Sequence, residues 1–141
     1  MKRLAVLCCA LAACGSSGDG DLVVRDPWFR APPPFANTAA MYAEINNPTD
    51  VDDSLLTMGS PQCRSFELHR TVTSDNVASM EAIGDVGLQI GAGESLALEP
   101  GGLHGMCLGL DDGFEEGDNV VVDLQFETMG RVTLSVPIQR R

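Results

Sequence analysis

Glycine, proline, asparagine and aspartate interrupt this chain at short intervals, and this punctuation constrains its fold more than any other feature. The 141 residues include 15 glycines and eight prolines. Between them Val, Leu, Ile and Phe alternate with polar residues, which is typical of half-buried strands, and no window of ten residues shows a convincing helical period. Strands are predicted near 22–25, 28–31, 38–46, 53–59, 63–72, 77–83, 87–90, 95–99, 104–110, 119–127 and 131–138. Many short strands in about 120 residues predict one all-β domain, an antiparallel sandwich or barrel.

Two connections contain the residues that specific turns require. In EPGG, residues 99–102, Pro100 fits the second position of a type II turn and Gly101 supplies the positive φ of the third position. Residues 127–131, ETMGR, are typical of a tight hairpin connection. The second turn therefore predicts two antiparallel neighbours.

The first 21 residues are set apart from this domain. Residues 1–3 are basic at Lys2 and Arg3, and residues 4–13 are an uncharged apolar run that is too short to span a bilayer but has the size of a signal-peptide core. Residues 11–14, LAAC, resemble the lipobox of bacterial lipoproteins, in which the signal is cut before the Cys and that Cys carries the lipid. We therefore predict a lipoprotein signal at 1–13, lipidation of Cys14, a flexible tether at 14–21 and a domain at 22–141. An ordinary secretory signal is the alternative, and either one places the domain outside the cytoplasm, in the periplasm or at the cell surface.

The charge of the domain argues against nucleic acid as a partner. Nine Lys and Arg stand against 20 Asp and Glu in the whole chain, and cleavage of the signal removes Lys2 and Arg3. Seven arginines and 20 acidic residues remain, a formal net charge of −13. Nucleic acid requires a basic footprint and anionic lipid a basic patch, so a lipid on Cys14 is the membrane contact that we predict.

The two histidines of the chain are each close in sequence to a methionine. His69 and Met80 have ten residues between them, and Met80 and His104 have 23. Met106 follows two positions after His104. Glu67 and His69 share one face of a predicted strand near its end, and His104 opens another strand, so these side chains could converge at one rim of a sandwich. The sequence contains none of the hydrolase or deaminase motifs that use histidine, and no enzymatic activity is predicted.

Two imidazoles and two thioethers form a donor set that suits Cu(I). Thioether sulfur is soft and uncharged and prefers Cu(I) to hard ions such as Mg²⁺ or Ca²⁺, whereas imidazole suits both copper and zinc. Zinc sites favour Cys, His and carboxylate, so two methionine donors argue against zinc. Each residue alone also has an ordinary interpretation, because methionine usually fills cores and a histidine often lies at the surface. Met41, Met58 and Met129 are interpreted as structural residues in that way.

The same residues lie in motifs that resemble the periplasmic copper chaperone family PCu(A)C. The family motif is a His and a Met with ten residues between them, then a longer gap, then His-x-Met. ELH at 67–69, Met80 and PGGLHGM at 100–106 match this motif. The resemblance continues in DPWFRAPPPFANTAAMYAEINNPTD at 26–50 and in the later hairpins, and it covers roughly residues 25–138.

The resemblance implies a fold, a metal and a role. The fold is a cupredoxin-like or immunoglobulin-like Greek-key β-sandwich or barrel that binds one Cu(I) per chain. The implied role is delivery of copper outside the cytoplasm, to the CuA site of cytochrome c oxidase, in its subunit II, or to another copper chaperone. The implied copper ligands are His69, Met80, His104 and Met106.

The chain departs from the family pattern in two places. The gap of 23 residues between Met80 and His104 is two residues longer than in the family motif, which enlarges the turn near 83–87. Thr73 and Ala78 stand where many members carry further methionines. A second, weaker copper interaction is therefore not implied for this chain.

Other functions remain open from the sequence. A copper buffering or resistance lipoprotein would have the same site without a dedicated acceptor. A structural β-sandwich lipoprotein would carry the same His and Met residues without stoichiometric Cu(I). A redox role for Cys63 and Cys107 is disfavoured, because the two cysteines lack the CxxC spacing.

Cys63 and Cys107 are the cysteines that remain when the signal and Cys14 are set aside. An even pair outside the cytoplasm predicts a disulfide, which would join the strand of His69 to the strand of Met106. Strand alternation turns Cys107 inward but places Cys63 on the face of His69, so the bridge requires a bulge or an early strand start. Two buried free thiols, or Cys107 as a copper ligand when reduced, are the alternatives.

Overall fold

The computed structural model describes residues 20–84, 86–112 and 114–141. Within these ranges the chain forms ten strands and no helix. The described residues therefore include no helix that could cross a membrane. The strands are β1 (Val23–Arg30), β2 (Thr38–Asn46), β3 (Asp53–Gly59), β4 (Cys63–Ser74), β5 (Val77–Ala82), β6 (Leu88–Ile90), β7 (Ser95–Leu98), β8 (Leu103–Leu110), β9 (Asn119–Phe126) and β10 (Arg131–Gln139). The prediction of an all-β fold is confirmed. The predicted signal at 1–13 and Cys14 lie outside the described residues.

The strands form one mixed sheet with the order β5-β4-β8-β2-β1-β10-β9-β3-β6, and β7 pairs with β2 outside this path. β1 and β10 run parallel, through Phe29↔Ile138 and Arg30↔Gln139, and the other pairs are antiparallel. This parallel junction divides the sheet into two halves. The first half contains β5, β4, β8, β2, β1 and β7, and the second half contains β10, β9, β3 and β6.

One hydrophobic core takes side chains from both halves. Phe29, Met41 and Cys107 come from the first half, Leu55 and Phe126 come from the second, and all five are buried. Because side chains alternate along a strand, every second residue of these strands projects into the core. The opposite face of the first half is therefore left for other contacts.

The two halves approach each other closely at Gly105 of β8. A Cβ atom at this position would lie 2.7 Å from the Phe66 ring and 3.0 Å from the sulfur of Met58, which belongs to β3. Real Cβ contacts are essentially never as short as 2.7 Å, so a larger residue here would displace the Phe66 ring of β4 and tighten the contact of β8 with Met58. Gly105 stands between His104 and Met106 in the sequence. The contact therefore also affects how far from the core β8 places these two residues.

Several strand ends differ from the prediction. The predicted strands 22–25 and 28–31 are one strand, β1, with a bulge at which Asp26 has a φ of 45°. The predicted strand 63–72 continues to residue 74, where a two-residue turn leads into β5. The φ values of the turn residues Asp75 and Asn76 are 51° and 62°, as in a type I′ hairpin turn.

The two turns predicted from their sequences are confirmed. Gly102 N–H donates to the carbonyl of Glu99 at 3.0 Å, and Gly101 has a φ of 81°. Phe126 N–H donates to the carbonyl of Gly130 at 2.8 Å, which closes the connection between β9 and β10. The first of these turns delivers the chain directly into β8.

Candidate metal site

The predicted ligands project from the face of β5, β4 and β8 that is opposite to the core. His69 of β4 pairs directly with His104 of β8, and Glu67 pairs with Met106. Met80 of β5 pairs with Thr71, which lies two positions beyond His69 on β4. Directly paired residues, and residues two apart on a strand, project from the same face of a sheet. We call this surface, which carries His69, Met80, His104 and Met106, the ligand face.

The position of the histidines corrects the expectation of convergence at a rim. His69 lies in the middle of β4 rather than near its end, since the strand begins at Cys63 and ends at Ser74. His104 is the second residue of β8, after Leu103. The two imidazoles therefore meet by lateral pairing of neighbouring strands.

Hydrogen bonds fix one nitrogen of each imidazole ring. Nε2 of His69 lies 2.9 Å from Oε2 of Glu67, and Nδ1 of His104 lies 3.0 Å from the carbonyl oxygen of Gly102. An ionised carboxylate and a carbonyl oxygen only accept, so in both bonds the ring N–H donates. In the neutral imidazole, Nδ1 of His69 and Nε2 of His104 then carry the free lone pairs.

Both free nitrogens are buried and have no hydrogen-bond partner within the described part of the chain. The two ring centroids are 5.9 Å apart, and the His104 residue is only 2% exposed. A buried polar atom without a partner costs about 1–3 kcal/mol, so natural structures rarely keep one without a reason. Histidines that bind metals typically donate their other N–H to a carboxylate or a backbone carbonyl, which is what His69 and His104 do. The pair thus has the hydrogen bonding of two metal ligands.

The histidines are accompanied by methionine rather than by further nitrogen or oxygen donors. Among the described residues, no three His, Cys, Asp or Glu side chains come together as a group that could hold a metal. Met106 is 8% exposed and lies two residues from His104 on β8. Met80 is 60% exposed, and every residue of β5 is exposed.

Strand spacing limits how these two methionines can act together. Met80 and Met106 are separated by two strand spacings and four residues along the strands, about 16 Å between Cα atoms on a flat, regular sheet. β8 begins opposite Arg70, so the end of the β4–β5 hairpin extends beyond it. Both sulfurs can reach one ion only if this hairpin curls over the ligand face. The structure therefore brings His69, His104 and Met106 together and leaves Met80 at the open edge.

Two aromatic rings beside His104 were not identified from the sequence. The ring of Tyr42 on β2 lies 6.3 Å from that of His104, and the ring of Trp28 on β1 lies 4.8 Å from that of Tyr42. The guanidinium of Arg141 lies 4.8 Å above the Trp28 ring and donates two hydrogen bonds to Asp26, at 2.6 and 2.8 Å. These hydrogen bonds lower the pKa of the Asp26 carboxyl. The aromatic rings enclose the ligand face on its β1 side.

The sequence did contain a signal for the orientation of Tyr42. The interpretation of Met41 as a structural residue is confirmed, because Met41 is fully buried in the core. Alternation along β2 then requires Tyr42 to project from the opposite face. Only the pairing of β2 with β8, through Met41↔Gly105, shows that this face is the one that carries His104.

A disulfide joins Cys63 to Cys107 on the core side of the ligand strands, with Cα atoms 5.5 Å apart. β4 begins at Cys63, where the strand was predicted to begin, so an early strand start does not account for the bridge. Gly109 has a φ of 66°, a conformation that glycine adopts readily, so β8 bends where it passes Arg64. The bond ties β4 to β8 behind the two histidines.

Sequence comparison relates the domain to a known family. The family described as "Putative lipoprotein LpqE-like" matches residues 22–138, nearly the whole predicted domain. The chain belongs to the LpqE-like lipoprotein family. One relative, "Putative lipoprotein Lxx21020" from Leifsonia xyli subsp. xyli (strain CTCB07), is 29% identical over 125 residues, which cover 89% of this chain and 73% of the relative.

Solved PCuAC domains share the fold of this LpqE-like chain. The apo PCuAC domain from PmoF1 superposes with a TM-score of 0.71 at 25% identity, covering 86% of this chain and 96% of that domain. The solution structure of Cu(I)-DR1885 from Deinococcus radiodurans superposes with a TM-score of 0.70 at 23% identity, covering 91% of this chain and 84% of that protein. The resemblance to the PCu(A)C family that the motifs indicated is thereby confirmed.

Proposed function

We propose that this LpqE-like chain is an extracytoplasmic carrier that binds one Cu(I) and passes it to a protein acceptor. The observation that carries the proposal is the pair of buried imidazoles on β4 and β8, each with one nitrogen fixed by an internal hydrogen bond and the other free. The proposed ligands are His69, Met80, His104 and Met106.

The donor set accounts for the choice of metal. Thioether sulfur is a soft donor without charge and selects Cu(I) over hard ions, and imidazole binds copper as well. The proposed site needs no third nitrogen or oxygen donor, because the methionine sulfurs complete it. That the structurally similar DR1885 has been solved with Cu(I) supports this choice of metal.

Delivery follows from the strength of the same donors. Thiolates bind Cu(I) more strongly than thioethers and imidazoles do, because thiolates are both charged and soft. Copper therefore moves downhill to an acceptor that offers thiolates, and the PCuAC likeness suggests the CuA site of cytochrome c oxidase. Met80 lies at the open edge of the site, so we expect it to be the first ligand that an acceptor displaces.

The proposed location follows from the N-terminal sequence and from the family. Residues 11–14, LAAC, end a short apolar run, and the family and the Leifsonia xyli relative are both described as lipoproteins. We infer that Cys14 carries the lipid and that the domain stays anchored to a membrane outside the cytoplasm. A Cys14→Ala variant is expected to lose membrane association in cell fractionation, and unchanged association would contradict the anchor.

Titration with Cu(I) against a competing chelator tests the site. We expect one Cu(I) per chain, with sulfur and nitrogen scattering in the X-ray absorption spectrum. His69→Ala and His104→Ala should each weaken binding by more than about 100-fold, since losing even the hydrogen-bond partner of a ligand costs about 10–100-fold. Met129→Leu, which changes a half-buried methionine outside the ligand face, should keep the affinity of the unmodified protein. Absence of stoichiometric Cu(I), or a site of oxygen donors only, would show that the protein is not a copper carrier.

A transfer experiment separates a carrier from a copper buffer. The copper-loaded protein is mixed with a metal-free CuA domain, and copper is followed by the absorption of the acceptor. A carrier should deliver copper faster than a small-molecule Cu(I) complex of the same affinity. Equal rates would favour buffering without a dedicated acceptor.

A further inference from the structure

The methionines of this domain differ sharply in their access to solvent. Met41, Met58 and Met106 are buried, and Met129 is partly buried against the core. Met80 is the exception among the described residues, with 60% of its surface exposed. It lies on β5, the end strand of the sheet, where all six residues are exposed. A reagent dissolved in water therefore reaches the sulfur of Met80 before the others.

Exposure decides which methionine sulfur is oxidised. Hydrogen peroxide transfers one oxygen atom to a thioether: a sulfur lone pair attacks an oxygen, the S–O bond forms as the O–O bond breaks, and the departing hydroxide takes the proton of the new S–OH group and leaves as water. Sulfur loses two electrons and the peroxide is reduced by two. The product, methionine sulfoxide, is polar, and its sulfur no longer has the soft character of a thioether.

We infer that Met80 is a peroxide-sensitive modification site, and that its conversion to the sulfoxide removes the exposed donor and weakens the retention of Cu(I). The inference rests on the proposed function, because it takes Met80 as a ligand. His69, His104 and Met106 keep their positions in the modified protein, since the core and the disulfide hold β4 and β8. Oxidation thus converts a carrier with four donors into one with three.

The bound metal should protect the same sulfur. A lone pair that is donated to a soft ion is not available to attack peroxide, and a hairpin that curls over the ligand face shields Met80 from water. Modification is therefore expected in the metal-free protein and not in the loaded one. When peroxide reaches the compartment outside the cytoplasm, the metal-free carriers would be oxidised first and would bind copper less tightly. Methionine sulfoxide reductases reverse this modification.

The experiment uses purified protein, limiting hydrogen peroxide and peptide mass spectrometry. Ag(I) replaces Cu(I) in the loaded sample, because Ag(I) is a soft monovalent ion that does not react with peroxide in the way that Cu(I) does. In the metal-free protein, Met80 should be oxidised at least tenfold faster than Met58 and Met106. The Ag(I)-loaded protein should show at least tenfold slower oxidation of Met80. After oxidation the Cu(I) affinity should fall about tenfold.

Two variants make the result specific. Met80→Leu should bind Cu(I) with an affinity that peroxide does not change further. Met129→Leu should behave as the unmodified protein does, both in the oxidation of Met80 and in the loss of affinity. Oxidation of Met58 or Met106 as fast as that of Met80 would overturn the inference, and so would a sulfoxide at Met80 that leaves Cu(I) affinity unchanged.

The affinity of Met80→Leu before oxidation separates the two possible failures. If Met80→Leu binds Cu(I) less tightly but the sulfoxide does not, the copper site stands and only the oxidation inference fails. If neither change affects affinity, Met80 is not a ligand, and the proposed site is wrong in that position.

Discussion

Met106 and Met80 project from one face of one sheet, yet they occupy opposite environments. Met106 is almost buried beside His104, on a strand that pairs with β4 on one side and β2 on the other. Met80 is largely exposed on β5, which pairs with β4 and with no other strand of the described residues. The proposed site therefore has a fixed part, whose proposed donors the fold holds in place, and an open part, whose proposed donor would have to be brought in.

The physical basis of the fixed part lies on the opposite face of the same strands. Gly105 lets β8 approach Met58 of β3 closely, and Cys107 is bonded to Cys63. Both residues alternate with His104 and Met106 along β8. Each proposed ligand on β8 is thus flanked by residues whose position the core determines, and this would save much of the ordering cost that binding otherwise includes.

The open part has a different consequence. A ligand that is placed in advance binds without reorganisation, but it is also displaced with difficulty. A donor on an exposed hairpin can leave the ion while the others remain, which provides a route for stepwise exchange with an acceptor. The contrast between Met106 and Met80 is therefore the feature that the following predictions test.

The disulfide should have the largest effect on the fixed part. Replacing both cysteines, in Cys63→Ser/Cys107→Ser, removes a link across 44 residues of sequence, and a loop of this length corresponds to about 4 kcal/mol of stability in the chain-entropy estimate. Urea unfolding of the metal-free variant measures the loss. Unchanged stability, or two alkylatable thiols in the oxidised unmodified protein, would show that the bridge does not hold the fixed part.

Replacing each methionine by leucine compares the two parts directly. Leucine preserves volume and removes sulfur, so packing around Met106 should be kept. We expect Met106→Leu to weaken Cu(I) binding by about 100-fold, or about 2.7 kcal/mol, and Met80→Leu by about tenfold, or about 1.4 kcal/mol. Competition titration of both variants under the same conditions gives the ratio. Equal losses would remove the distinction between a fixed and an open donor.

A variant in the second half of the sheet separates local order from global stability. Oδ1 of Asp53 accepts hydrogen bonds from the backbone N–H of Ser54 and Thr128, at 2.7 and 2.8 Å, and Oδ2 accepts one from Met129 at 3.0 Å. Burial raises the pKa of Asp53, but these backbone groups together hold it below its usual value. Asp53→Asn should cost about 2 kcal/mol at pH 7, because hydrogen bonds to charged groups contribute about 1.5–3 kcal/mol.

The pH dependence of the same variant gives a second measurement. Because the folded carboxyl has a lowered pKa, its stabilisation is present above the unfolded pKa of about 3.9 and is lost as the pH falls through the folded value. The difference in unfolding free energy between the two proteins should therefore shrink in acid. Copper affinity at pH 7 should stay unchanged. A parallel fall in affinity would mean that overall stability, rather than local packing, maintains the ligand strands.

Local patterns were enough to predict the strands, because alternation and turn chemistry are properties of neighbouring residues. The turn at 99–102 and the all-β fold came from such patterns and are confirmed. The hairpin turn at Asp75-Asn76 was missed, although both residue types tolerate the positive φ that it requires. Local sequence also puts Glu67 and His69 on one face, but a carboxylate two residues from a histidine is too common to identify a hydrogen bond.

The site itself depends on contacts that no local pattern contains. The register that pairs His69 with His104 joins residues 35 positions apart, and one shift of that register would turn one of the two rings to the other face. The exposure of Met80 depends on where the sheet ends, which the order of the strands decides and the sequence of β5 does not. The contrast between the two methionines could therefore be seen only in the folded chain.

The hydrogen bond from His69 to Glu67 should give the smallest and most specific effect. The carboxylate accepts the Nε2 proton and so leaves Nδ1 free for the proposed metal, although it touches none of the proposed donor atoms. Glu67→Gln keeps the shape and removes the charge, and we expect about tenfold weaker Cu(I) binding, at the lower end of the range for such partners. Nitrogen-15 NMR of the imidazole should show that the fraction with a proton on Nδ1 increases.

Glu81→Gln is the matched control for that variant. Glu81 lies on β5 and pairs with Arg70 at 3.7 Å, so its replacement removes one negative charge from the same hairpin without contact to either histidine. Its affinity and its imidazole spectrum should match those of the unmodified protein. If both glutamine variants weaken binding equally and the proton of His69 stays on Nε2, the carboxylate acts only through its charge, and Glu67 does not position the ligand.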